Sequence, residues 1–205
     1  ARSGVLRVLG SGHIDFRPRQ SDFSSDFKRA GAPWLGMRLA EIKDLDGALV
    51  VGSFLRKDHP LIAQRLRQAA KKFTKVSLLS VTGDDQLINL HARLTVAPAQ
   101  LAGALAAIVK SAAEIKGVAV PAGVEGAVAC ETSKKIAQSL VDGEKRAVFL
   151  GNVVTQSADA TQLHALALVL GKLTGAIVGF LGEGANTVGG HLAWALPSGA
   201  NARQM

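Results

Sequence analysis

Gly47-Ala-Leu-Val-Val-Gly-Ser-Phe-Leu-Arg-Lys-Asp-His-Pro60 is the stretch on which the fold turns. Ala48 to Val51 is a short apolar run without internal charge, the pattern of a strand covered on both faces. Gly52-Ser53 ends the run. Asp58 or His59 stands where a helix cap is wanted, and Pro60 occupies a first-turn position that tolerates proline. Ile62, Leu66, Ala69 and Phe73 then recur at helical spacing, while Arg65, Arg67, Lys71 and Lys72 fall mostly off that stripe. A second apolar run, Val76 to Val81, follows. Strand, glycine turn, helix, strand spells one βαβ unit with a right-handed crossover. A glycine turn opening a helix offers N–H groups and a positive dipole end, so it can hold an anion. It can equally just turn the chain, and for a motif this short the plain turn is the favoured reading.

Outward from this unit, composition sets bounds. The chain has 205 residues, of which 48% are hydrophobic, 20% are charged and 22 are glycine. That length suits one domain to one and a half, with ample material for a core. Tyr is absent and aromatics are few, so the interior is built from Ala, Leu, Val and Ile. A net charge of +8 points to nucleic acid, an anionic membrane surface or an acidic protein neighbour. The cations are spread along the chain without interleaved aromatics, so nucleic acid is not an expected partner; a basic face toward another protein and an ordinary solvated surface are the two readings left. The single cysteine, Cys130, can form neither an internal disulfide nor a cysteine-only metal or iron–sulfur site. A reduced, intracellular setting is expected. The most apolar region, Leu163 to Leu181, is interrupted by His164, Lys172, Thr174 and glycines, so no membrane span is expected. No signal peptide is evident, and the start without Met suits an excised fragment or a processed product.

Taken in order, the chain predicts strands near 5–9, 47–52, 76–81, 146–151 and 176–181. Helical patterns lie between them, clearest where Leu101, Leu105, Ile108, Ala112 and Ile115 form one stripe after Pro98. A short helix is expected within 34–44, and residues 87–94 are ambiguous. Residues 118–130, rich in Gly, Ala and Val, read as a flexible or partner-ordered connector and mark a sub-division of the chain. Strands alternating with helices predict an α/β fold with a mostly parallel sheet and helices on both faces. The turns at Gly10, Gly52, Gly151 and Gly182 then gather on the carboxyl edge, where open α/β sheets place ligands. Gly182-Glu-Gly184 has Thr187 where a third glycine should stand, so a nicotinamide loop is not expected. The loop from His13 to Asp26 carries Asp15, Arg17, Arg19, Asp22 and Asp26, charges dense enough to pair with one another.

Three stretches together carry a resemblance: His13-Ile-Asp-Phe-Arg-Pro-Arg-Gln-Ser-Asp-Phe23, Leu49 to Pro60 running into Ala63-Gln-Arg-Leu-Arg67, and Leu181-Gly-Glu-Gly-Ala-Asn-Thr-Val-Gly-Gly190. With them, the chain resembles the molybdopterin-oxidoreductase-like module in the large iron–sulfur subunit of bacterial NADH:quinone oxidoreductase, respiratory complex I. The resemblance implies a formate dehydrogenase-like fold over residues 1–205. It implies a structural and docking module without redox centres of its own, in a parent protein whose absent N-terminal domains carry 2Fe-2S and 4Fe-4S clusters. Implied partners are that iron–sulfur region and the other proteins of complex I. The implied location is peripheral, in the hydrophilic arm on the cytoplasmic side of the inner membrane. The implied activity is NADH dehydrogenase activity of the whole complex, with this fragment inactive alone.

The wider superfamily binds a bis-molybdopterin guanine dinucleotide, often with molybdenum or tungsten. By that resemblance Ser21, Gly52, Ser53, Gly182 and Asn186 fall on pterin-site positions, here expected to be vestigial. Ser21 stands at the metal-ligand position, Asp22 where a catalytic imidazole is common, and Phe54 where an amide helps to hold the cofactor. A ring cannot make that hydrogen bond. The expectation is therefore no catalytic residue and no metal. The alternative is a working pterin-dinucleotide-binding fragment of a molybdenum or tungsten oxidoreductase. A free-standing nucleotide-binding protein is a third reading.

Overall fold

The computed structural model describes residues 8, 10, 13–25, 31–197, 201 and 204. The strands are β1 (Gly47–Val51), β2 (Lys75–Ser80), β3 (Ala92–Thr95), β4 (Arg146–Leu150) and β5 (Ile177–Phe180). They form one sheet in the order β3-β2-β1-β4-β5, and every pairing is parallel. The helices are α1 (Leu55–Asp58), α2 (Pro60–Ala70), α3 (Leu101–Ile115), α4 (Glu131–Asp142), α5 (Asn152–Gln156), α6 (Ala160–Thr174) and α7 (Thr187–Leu192). The expected helix within 34–44 is a 3-10 turn, Leu39–Asp44. The ambiguous 87–94 region yields β3, and the strand expected near 5–9 lies outside the described residues apart from residue 8, which is helical.

All five β1 residues are buried, as a central strand with no internal charge requires. Alternation along the strands divides the core into two. Leu49, Val51, Leu79, Val148 and Leu150 face α3, α4 and α6. Ala48, Val50, Leu78, Ala147 and Phe149 face α2 and the 3-10 turn, meeting Leu66, Ile42 and Leu45. The division follows from topology. The chain steps from β1 to β2 in one direction and from β4 to β5 in the other. Crossovers of one hand running in opposite directions place their helices on opposite faces.

The return from edge strand β3 to β4 passes over one face through α3, the 116–130 connector and α4. That connector is anchored. Val124 is only 3% exposed, and Lys110 Nζ donates to the carbonyls of Glu125 (2.7 Å) and Ala127 (3.0 Å). Leu105 before it and Ile136 after it lie in the same core cluster.

A strap of residues 34–36 covers the outer edge of β5. Phe180 N–H donates to Trp34 O at 2.8 Å, and a Cβ built on Gly179 would overlap the Leu35 carbonyl. Covering an edge strand in this way removes a row of groups that would otherwise pair with another chain. Gly179→Ala therefore costs about 1–3 kcal/mol or more in overpacking, because a backbone carbonyl must move. Gly103, in the first turn of α3 and exposed, has open space around it. Gly103→Ala gains about 0.5–1 kcal/mol from helix propensity. Chemical denaturation of the two variants against the parent checks the opposite signs.

Candidate functional site

The carboxyl ends of β1 and β4 form the topological switch point, where an open α/β sheet diverges and usually leaves a ligand crevice. Here the chain fills that crevice. Gly52, with φ +59, donates its N–H to Leu79 O (2.8 Å). Gly151 N–H donates to Val51 O (2.8 Å), and Val153 N–H donates to Gly52 O (3.0 Å). A Cβ on Gly151 would overlap Ser53 and come within 2.5 Å of Gly52 O, while one on Gly52 would lie 2.9 Å from Val154 Cγ2. The predicted site residues Gly52 and Ser53 are thus buried in an interlock of two turns. The Gly52 amide is already used inside the sheet. Ser53 Oγ, His59 Nε2 and Asn152 Oδ1 are buried there with no hydrogen-bond partner among the described residues. Burial holds the His59 imidazole below its ordinary range, against the opposing pull of the Asp58 carboxylate.

The open cavity lies one strand further along, at the carboxyl ends of β4 and β5. It encloses about 660 Å³ between the loop 13–25 and the glycine-rich loop 182–190, with Phe16, Arg19, Asp22, Phe180, Gly182 and Asn186 among its walls. That volume falls within the usual range for small-ligand sites. Of the predicted residues, Gly182 and Asn186 line the cavity, whereas Ser21, Gly52 and Ser53 do not. Ser21 is half-buried between two residues that do, Gln20 and Asp22.

The first wall is held by charge. Arg17 Nε and Nη2 meet the two carboxylate oxygens of Asp15 at 2.8 and 3.0 Å, with the side chains 7% and 0% exposed. The same guanidinium lies 5.1 Å from the Phe23 ring centroid. Arg19 takes a partner outside its own loop, Glu183 at 3.3 Å, and there its side chain is 71% exposed. Asp26 is outside the described residues. Asp22 makes no ion pair with either arginine among the interactions described. Its carboxylate accepts from Ser24 N (2.9 Å), Ser24 Oγ (2.6 Å) and Thr161 N (2.8 Å), the last in the first turn of α6. Burial pushes the Asp22 pKa up, but the hydrogen bonds from Ser24 and Thr161 outweigh it and bring the pKa down from 3.8 to about 2.

The second wall closes on itself. Thr187 Oγ1 accepts from Gly184 N (2.9 Å) and donates to Gly184 O (3.1 Å). The Asn186 side chain folds over Gly189, where a Cβ would overlap it. Phe16 packs on Gly190, whose Cβ would come within 2.8 Å of the ring, and meets His191 edge-on at 5.1 Å. Thr161, Phe16 and Phe180 carry no signal in the sequence that marks them as site residues. The only trace of Phe16 is Gly190, which leaves room for its ring.

The Asp22 geometry carries a pH dependence. A carboxylate whose folded pKa is depressed adds stability that is fully present above its unfolded value and is lost as pH falls through its folded one. For Asp22 that window runs from about pH 4 down to about 2. Asp22→Ala leaves the first turn of α6 without its cap, costs about 0.5–2 kcal/mol at neutral pH, and flattens the acid limb in that window. Thermal melts of parent and variant between pH 2 and pH 7 read both effects.

No protein-family model matches the chain, and no curated protein matches it. Among solved structures, its fold is similar to that of a chain in the formyltransferase/hydrolase complex (FhcABCD) from Methylorubrum extorquens, determined in complex with methylofuran. The TM-score is 0.60 at 16% identity, covering 95% of this chain, which spans 55% of that chain's length. At such identity the likeness concerns fold. It overturns the assignment to the large iron–sulfur subunit of NADH:quinone oxidoreductase, because the architecture matched is that of a chain from a formyltransferase/hydrolase complex. The labels of NADH dehydrogenase, quinone and respiratory chain fall with that assignment. The motifs behind it have local duties: Arg17 pairs with Asp15, Asp22 caps α6, and Gly190 lies under Phe16. They report how two loops dock, not which redox partner is served. Among the described residues no helix is long and apolar enough to cross a membrane.

Proposed function

We propose that this chain is a non-catalytic scaffold and docking module of a multi-subunit enzyme that handles a formyl group, akin to the formyltransferase/hydrolase complex its fold resembles. The observation that carries this reading is the closed switch point. Where an α/β sheet ordinarily holds its ligand, Gly151 lies against Ser53 and Gly52 without room for a methyl group. What remains is a stable α/β layer with strongly basic character, suited to positioning other chains.

The finer fold reading, molybdopterin-oxidoreductase-like, belongs to this proposal. Its support is that the loops 13–25 and 182–190, singled out separately in the sequence, meet across one cavity. The competing reading, a pterin-dinucleotide-binding fragment of a molybdenum or tungsten oxidoreductase, draws on the same cavity. The residues present fit that group poorly. Gly52 and Ser53 lie outside the cavity, the Gly52 amide is already bonded to Leu79 O, and Thr187 occupies the Gly184 amide. Leaving the polar groups of such a ligand unmatched in a buried site costs about 1–3 kcal/mol each.

Purification of the intact parent protein from its native host tests the proposal. The expected outcome is a stable hetero-oligomer that transfers or hydrolyses a formyl group, while this chain alone does neither. Stoichiometric molybdenum or tungsten together with pterin fluorescence in that material supports the competing reading and overturns this one.

A further inference from the structure

The outer face of α2 is unlike the rest of the surface. From His59 to Gly83 the sequence contains Arg65, Arg67, Lys71, Lys72 and Lys75 and no carboxylate. Lys75 reaches Asp142 at 3.8 Å, and just outside the stretch Lys57 reaches Asp84 at 3.3 Å. Arg65, Arg67, Lys71 and Lys72 are exposed, and no ion pair or side-chain hydrogen bond is made by them among the described residues. Their arrangement is unfavourable for an isolated helix. Arg67 and Lys71 are like charges at i, i+4, which repel by about 0.2–0.5 kcal/mol.

Helical geometry sorts this face. Ala63, Leu66 and Ala69 are buried against the sheet. Leu61, Arg65 and Gln68, at i, i+4 and i+7, are exposed away from that buried side, and Lys71 and Lys72 are exposed in the turn that follows the helix. Two large apolar side chains bracket this stretch, Leu61 at 76% exposure and Phe73 at 59%. Exposed large apolar side chains and arginines are groups that a protein partner covers.

We propose that this face docks an acidic segment of a partner protein, with partner carboxylates between Arg65, Arg67, Lys71 and Lys72 and with Leu61 and Phe73 as apolar anchors. The inference rests on the reading of the chain as a module of a larger assembly. Charge complementarity selects the occupant. A single-stranded nucleic acid needs several aromatic platforms, and this face has only Phe73. A membrane surface needs a continuous apolar stripe. Here the two apolar side chains are separated by the length of α2, about 16 Å, with cations between them.

The test uses the assembled complex purified from its native source. A zero-length carbodiimide joins Lys71 or Lys72 to an Asp or Glu of a neighbouring protein, and peptide mapping identifies the link. The same lysines acetylate several-fold more slowly in the complex than in the separated chain. The double variant Arg65→Glu, Lys72→Glu alters only exposed side chains, so its circular dichroism and melting curve match the parent. It weakens association about tenfold or more, an effect that shrinks at high salt. A complex that assembles while Lys71 and Lys72 acetylate as fast as in the free chain overturns this inference and leaves the scaffold reading standing. Failure to recover any complex overturns the scaffold reading, and this inference with it. Binding of the free chain to phosphatidylserine vesicles or to DNA, lost in the double variant, also overturns the choice of a protein partner.

Discussion

Gly151 lies against the Gly52-Ser53 turn so closely that neither side of the contact tolerates a larger residue where glycine stands. This contact ties the two central strands together beyond their ladder, since Gly151 N–H reaches Val51 O and Val153 N–H reaches Gly52 O. It also decides where ligands can go. Open α/β sheets bind at the point where strand order reverses, and here that point is solid. The accessible cavity is displaced toward β5, under walls supplied by the loops 13–25 and 182–190. The same packing leaves Ser53 Oγ, His59 Nε2 and Asn152 Oδ1 inside without partners among the described residues, a local polar burden borne by the close fit.

The cavity walls depend on charges of very unequal weight. The Arg17–Asp15 pair is buried and bidentate, and losing one member of such a pair costs about 3–5 kcal/mol because the other remains buried and uncompensated. The Arg19–Glu183 pair is exposed, so it contributes about 0–1 kcal/mol and chiefly sets the distance between the two loops. Asp22 acts differently again. Its carboxylate takes a backbone N–H of α6 and so fastens the first wall to the helix that leads into β5. Under the proposed scaffold role, such docked loops help, since ordering them beforehand reduces the entropy lost on assembly.

Several elements were legible in local sequence. The uncharged run Ala48 to Val51 predicted a buried central strand, and the Leu101, Leu105, Ile108, Ala112 stripe predicted α3, because both patterns repeat within a few residues. β3 was not legible. Arg93 and Thr95 dilute its apolar character, and it exists because the edge of β2 is available for pairing. Of the five pterin-site positions, Gly182 and Asn186 reach the cavity while Gly52 and Ser53 are in the interlock. A glycine after a strand looks the same in sequence whether it admits a ligand or another turn. The resemblance to the complex I protein failed for a related reason: it rested on short loop segments, which in this chain serve local contacts such as Asp22 with Thr161 and Gly190 with Phe16.

By itself, then, the sequence determined the α/β class, the parallel sheet, the basic surface and the positions of most helices. Each of these follows from periodicity, composition or turn chemistry read over fewer than about twenty residues. Tertiary structure alone decided which strand-end turn meets which, and hence that the switch point is closed. It alone brought Asp22 to Thr161 across 139 residues and Arg19 to Glu183 across 164. Such contacts depend on sheet order and on the direction of each crossover, which no local pattern encodes. The site is made of these long-range meetings, and so its walls could be named from the sequence but not assembled from it.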